Sequence, residues 1–192
     1  MGPQLPPRSP CARRRRTTGH PRPHPGGRER GAPGTLPAYR NGDPPGVLDG
    51  GQEYFLDKIG GPFARRLRSR VGTRLPADRG AGGRSMLALL PPEEVDDMMG
   101  PVLSGQGAGA RWTMPALHAE LARIRARKGV AFETVATGDG TEMLIVGSVG
   151  CAVRSKDGAA VSLSVAGDAH SIHPDRLAPL VREAAAALAR TV

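Results

Sequence analysis

Two strand-like segments, "MLIVGSVGCAVR" (143–154) and "AAVSLSVAG" (159–167), are separated only by "SKDG" (155–158). A four-residue link with an Asp-Gly pair reverses the chain, so the two segments must lie side by side and antiparallel. A second strand-turn-strand pattern, "GVLDGGQEYFLDKIGG" (46–61), turns at Asp49-Gly50-Gly51. "RRLRSRVG" (65–72) and "TRLPAD" (73–78) read as short extended pieces, and "VAFETVAT" (130–137) reads as a further strand.

Helices are expected between these strands. The run Met86–Leu90 follows a glycine cluster and stops at Pro91-Pro92. "PPEEVDDMM" (91–99) opens another short helix with proline and acids, and "GPVLSGQGAGAR" (100–111) reads as a loop. Thr113 caps a helix whose Leu117, Leu121 and Ile124 share a face, with Gly129 as its stop. His173-Pro174 starts a last helix, with Leu177, Leu180, Val181, Ala184 and Leu188 on one side. Hairpins interleaved with helices specify an α+β domain on an antiparallel sheet.

That domain begins near Gly46. Residues 1–45 hold eleven of the nineteen prolines and nine arginines against Glu29 and Asp43. Such a segment lacks the apolar surface to offset its conformational entropy and is expected to be disordered. It carries +7 of the net +9, leaving +2 on residues 46–192, so the body shows no basic surface for duplex DNA. Arg13–Arg16 read as a solvated charge run rather than a polyanion contact. Aromatics make up only 3% of the chain, so the core must come from Leu, Val, Ile, Met and Ala. Cys11 and Cys151 do not suggest a disulfide framework. No apolar run is long enough to span a membrane and no secretory signal is visible, so a cytoplasmic location is expected.

"GAGGRS" (80–85) invites a phosphate-loop reading that its neighbours reject. A Walker loop would need glycine where Asp78 stands and lysine where Arg84 stands. Two readings stay open for Gly80, Ala81, Gly82 and Gly83. They leave the amides of a helix start bare for a small carboxylate, or they let that helix pack closely on the sheet. His170-x-x-His173 lacks the companions of a zinc site, and Ser148, Ser162 and Ser164 have no His and Asp partners that would make a nucleophile. No metal, cofactor or enzymatic activity is expected. Met86 and Met98 read as helix core, and Trp112 as either a loop anchor or a dimer contact.

Four stretches in order carry a family resemblance: "GVLDGGQEYFLDKIGGP", "RLRSRVGTRLPADRGAGGRSMLALLPPEE", "LHAELARIRARKGVAFE" and "GCAVRSKDGAAVSLSVAG". Together they resemble the C-terminal effector-binding domain of IclR-type transcriptional regulators over residues 46–192. The resemblance implies a GAF-like curved antiparallel sheet flanked by helices, with a small-molecule pocket on one sheet face. It also implies a homodimer or homotetramer in which a small organic acid effector controls transcription. DNA binding belongs to a winged helix-turn-helix; none precedes Gly46, so DNA is a partner only if that domain is supplied upstream. Asp78 and Arg79 alter the expected pocket mouth, and "TVATGDGTE" (134–142) carries a short insertion.

Alternation in the last strand puts Ala160, Ser162, Ser164 and Ala166 on one face, opposite Val161, Leu163 and Val165. The resemblance maps Ser164 and Ala166 onto effector-contacting positions and places Ala81, Glu133 and Gly147 near the ligand. The candidate effector site is therefore Gly80, Ala81, Gly82, Gly83, Glu133, Gly147, Cys151, Ser162, Ser164 and Ala166, although Cys151 by itself reads as a small core residue. The competing reading is a truncated stand-alone module that dimerises and binds no DNA.

Overall fold

The structure is a computed structural model that describes residues 45–192 apart from 61, 68, 108–109 and 139–142. The expectation of disorder for residues 1–45 lies outside the described residues except at Pro45, and so does part of the 134–142 insertion.

Six strands form one antiparallel sheet: β1 (Gly46–Asp49), β2 (Gln52–Phe55), β3 (Arg74–Pro76), β4 (Val130–Gly138), β5 (Met143–Arg154) and β6 (Ala160–Asp168). Their spatial order is β3-β2-β1-β6-β5-β4, in a curled half-barrel. The β5–β6 hairpin read from "SKDG" is its backbone, paired from Val146 with Asp168 to Arg154 with Ala160. Gly50 and Gly51 close the β1–β2 hairpin at φ +56° and +78°, both in the left-handed region that a two-residue reversal requires. Strand β1 meets β6 only through Gly46 with Ser162 and Val47 with Val161. The two halves of the sheet therefore join along a short seam.

The helices are α1 (Pro62–Arg66), α2 (Ala81–Leu87), α3 (Pro92–Gln106), α4 (Met114–Ala126) and α5 (Pro174–Leu188). On one sheet face α2, α3 and α4 enclose a core of Leu87, Val95, Met99, Leu117, Leu121 and Ile124. Helix α5 covers the opposite face, with Val181 and Ala185 against Val130, Val149 and Cys151. The capping reading holds: the Thr113 hydroxyl accepts the Ala116 N–H at 3.3 Å. At the end of α2 the carbonyls of Ala88, Leu89 and Leu90 accept from Arg125 and Arg154 side chains. Cations there satisfy carbonyls that have no partner within the helix.

Several local expectations change. Arg65 and Arg66, read as the start of an extended piece, instead end helix α1. Helix α2 starts within the glycine cluster rather than after it. The proposed loop after Met99 is instead the second half of α3, which continues through Gly100-Pro101 to Gln106. Val95, Met99 and Leu103, at four-residue spacing, are all buried. Burying them outweighs the single helical bond that Pro101 forfeits from its exposed side. In α5 the buried stripe is Val181, Ala185 and Leu188, and Leu180 stands 49% exposed.

Candidate functional site

The site is set by how closely α2 approaches the sheet. A side chain at Gly150 of β5 would come within 2.6 Å of the Ala81 carbonyl carbon and 2.7 Å of the Gly82 nitrogen. At Gly83 it would meet the Ala77 carbonyl oxygen at 2.3 Å. Glycine on both surfaces lets backbone rest on backbone, and the α2 start hangs over β5 and β6.

Beside this contact lies a cavity of about 410 Å³. Gly80, Ala81 and Gly82 form one wall, and Ser148, Ser164 and Ala166 of the β5–β6 hairpin form the wall facing it. Val135, Thr137 and Val146 extend the floor, Phe55 and Leu75 close the β2–β3 side, and Arg79 stands with Leu67 and Ser69 at the border. The lining is mixed: aliphatic surface, hydroxyls, and the carboxyls of Glu53 and Glu133.

Glu53 is the least expected member. It is 2% exposed, and its carboxyl accepts from the Gly83 N–H and from the Ser162 hydroxyl, both at 3.0 Å. A Cβ on Gly82 would stand 2.1 Å from Glu53 Oε1. Part of the helix start offered to an external anion is thus taken by the protein's own carboxyl. Burial pushes the pKa of Glu53 up to about 7, only partly countered by Ser162, the Gly83 amide and the Arg84 charge.

A second cluster backs the cavity. Arg84, 2% exposed, pairs with Glu133 and donates to the carbonyls of Phe132 at 2.6 Å and Asp78 at 3.0 Å. Arg111 takes the other oxygen of Glu133. Trp112 packs against both guanidiniums, with Arg84 5.5 Å and Arg111 6.0 Å from its ring centre. Its indole N–H donates to the Asp78 carbonyl at 3.2 Å, so Trp112 is a loop anchor. The fully buried Asp78 accepts from Gln106 at 3.3 Å and lies 3.6 Å from Arg79, which itself donates to Gln106 at 2.5 Å.

Of the ten candidate residues, Gly80, Ala81, Gly82, Glu133, Ser164 and Ala166 come together around the cavity. Gly83 and Ser162 stand behind it as partners of Glu53. Gly147 and Cys151 belong to the α5 face: a Cβ on Gly147 would meet Ile172 at 2.9 Å, and Cys151 packs with Val130, Val149 and Val181. Burial also holds the Cys151 thiol above its ordinary pKa, which suits a core residue. Glu53 and Arg84 were not foreseen. A faint signal existed for Glu53, which alternates with Phe55 on one face of a four-residue strand. Among the described residues no group of His, Cys, Asp and Glu is arranged for a metal ion, and no helix is long and apolar enough to cross a membrane.

Solved structures share this fold. The repressor BlcR of Agobacterium tumefaciens is 25% identical with a TM-score of 0.59, over 76% of this chain and 57% of that one. IclR of Thermotoga maritima is 23% identical with a TM-score of 0.62, over 76% and 58%. An IclR homolog of Microbacterium hydrocarbonoxydans, solved with 4-hydroxybenzoate, is 24% identical with a TM-score of 0.56, over 76% and 58%. The chain thus spans little more than half the length of these proteins. No curated protein matches the sequence. Residues 46–191, from the first strand to just beyond the last helix, match the model of the bacterial transcriptional regulator IclR C-terminal domain, and the chain belongs to that family.

Proposed function

We propose that residues 46–192 sense a small organic acid in the cavity between the α2 start and the β4–β6 face, as part of a cytoplasmic transcriptional regulator. The carrying observation is the cavity itself: about 410 Å³, lined by Arg79, by serine hydroxyls on the wall facing the α2 start, and by aliphatic side chains. That mixture fits a compact ligand with one polar end, oriented by a few hydrogen bonds. The Ser148 and Ser164 hydroxyls would hold the carboxylate, and Val135, Val146 and Phe55 its apolar part. The 4-hydroxybenzoate bound by the Microbacterium homolog makes hydroxybenzoates the first probes.

Binding would act by favouring one of two packings of a self-associating domain, which a helix-turn-helix on the same polypeptide would transmit to DNA. Isothermal titration with a panel of aromatic and aliphatic acids tests this reading, using the wild type and Ala166→Leu. A leucine there adds bulk to the sheet side of the cavity. Saturable binding to the wild type that Ala166→Leu weakens at least about tenfold, on the order of 1.4 kcal/mol, supports the reading. Absence of binding by every acid, or equal binding to both proteins, contradicts it.

A further inference from the structure

We propose that the cavity exchanges a proton for its acid: when a carboxylate binds, Glu53 takes up a proton from solvent, so that effector sensing is coupled to pH. This deepens the effector reading above and rests on it. The first argument is charge balance. Facing Glu53 are Gly46 and Leu48 of β1, Leu75 of β3, Ser162 of β6 and Gly82 and Gly83 of α2, none of them charged, and the charge that acts on it from α2 is Arg84. Among the described residues the charges lining the cavity are Arg79, Glu53 and Glu133, and Asp78, Arg84 and Arg111 pair with them from behind, three guanidiniums and three carboxyls in all. Arg84 pairs with Glu133, Arg111 shares that carboxylate, and Arg79 lies beside Asp78. With Glu53 ionised the cluster is neutral. An added monoanion would leave one unbalanced negative charge in a largely buried site, which is costly. Protonation of Glu53 restores neutrality, so empty and filled cavities carry the same charge.

The second argument is that the contacts of Glu53 serve both protonation states. The Gly83 N–H can only donate, and it holds Oε2 whether or not the group is ionised. The Ser162 hydroxyl donates to Oε1 when Glu53 is ionised and accepts from Oε1–H when it is protonated. Among the described residues no guanidinium or ammonium group is bonded directly to this carboxyl, whereas Glu133 on the same cavity has two. Burial already brings Glu53 to about neutral, where a small added potential shifts its proton occupancy.

The test is titration of the monoanions 4-hydroxybenzoate, 3-hydroxybenzoate and hexanoate into the full chain, in phosphate and in Tris, between about pH 6 and pH 8.5. At about pH 8 the binding enthalpy should differ between buffers by the ionisation heat of close to one proton. Above about pH 7 affinity should weaken toward tenfold per pH unit. Glu53→Gln should abolish both effects and bind acids above pH 7 more tightly than wild type. If Glu53→Gln does not fold, the carboxyl carbon shift of Glu53 in the acid-bound wild type reports its protonation directly. Binding without buffer dependence and with flat affinity overturns the proton exchange and leaves the effector reading standing. Proton uptake that persists in Glu53→Gln also overturns it. No binding of any acid at about pH 6, where Glu53 is mostly protonated, overturns both.

Discussion

Gly82 and Glu53 fit each other like a side chain and its mould, because a methyl group at 82 would occupy the place of the Glu53 carboxyl. Gly82→Ala should therefore destabilise the domain by about 2 kcal/mol, and adding Glu53→Ala should recover at least about 1 kcal/mol. A double-mutant cycle in urea measures this, and strictly additive costs would refute the contact. Gly83→Ala has no such remedy, since it meets the Ala77 backbone. Glu53 also makes stability depend on pH. Its pKa is raised from 4.5 to about 7 in the folded protein, so between those values the folded state holds more protons than the unfolded chain. The stability that Glu53 contributes should be fullest below pH 4.5, fall as pH rises to 7, and then level off, with on the order of 3 kcal/mol lost. Urea unfolding of wild type and Glu53→Gln across this window isolates that contribution, which the glutamine variant should lack. At Gly80–Gly83 one of the two readings is visible directly. Close packing is realised, and one amide serves Glu53 rather than a foreign anion. The sequence around Glu53 gave little warning, because one glutamate in a four-residue strand reads as solvent-facing until the seam of β1 and β6 brings Ser162 beside it.

The elements written in local chemistry were legible: the Asp-Gly hairpin, the Thr113 cap and the His173-Pro174 start all depend on neighbours a few residues apart. The second half of helix α3 was not, since Gly100-Pro101 reads locally as a stop and only long-range burial of Leu103 carries the helix past it. Pro101→Ala restores a missing N–H donor on the exposed side and should stabilise the domain by about 1 to 3 kcal/mol in thermal or urea unfolding. A loss of stability would mean the proline has a packing role of its own. The strand β4 and helix α2 are tied by the buried Arg84–Glu133 pair. Arg84→Met leaves Glu133 buried with Arg111 alone and should cost about 3 to 5 kcal/mol, whereas Arg84→Met with Glu133→Leu should be far milder. Equal losses in the single and double variants would argue against an uncompensated charge as the cause.

The whole molecule divides its sheet between two tasks. The α5 face is packed shut by Val149, Cys151, Val181 and Ala185, while the other face is sealed by α2, α3 and α4 except where the cavity opens beside the α2 start. Pattern and resemblance foretold the layered sheet and the hydroxyl-bearing strand. Alternation in β6 correctly put Ser164 and Ala166 opposite Leu163 and Val165. They did not foretell the burial of Glu53, whose partners Gly83 and Ser162 lie 30 and 109 residues away. The account stands on the cavity face being where an acid binds, and backbone and methyl NMR shifts during titration with 4-hydroxybenzoate test this most directly. The expected perturbations cluster at Gly80–Gly82, Val135, Val146, Ser164 and Ala166, with Val181 and Ala185 unmoved. Shifts confined to the α5 face around Cys151, Val181 and Ala185 would contradict it.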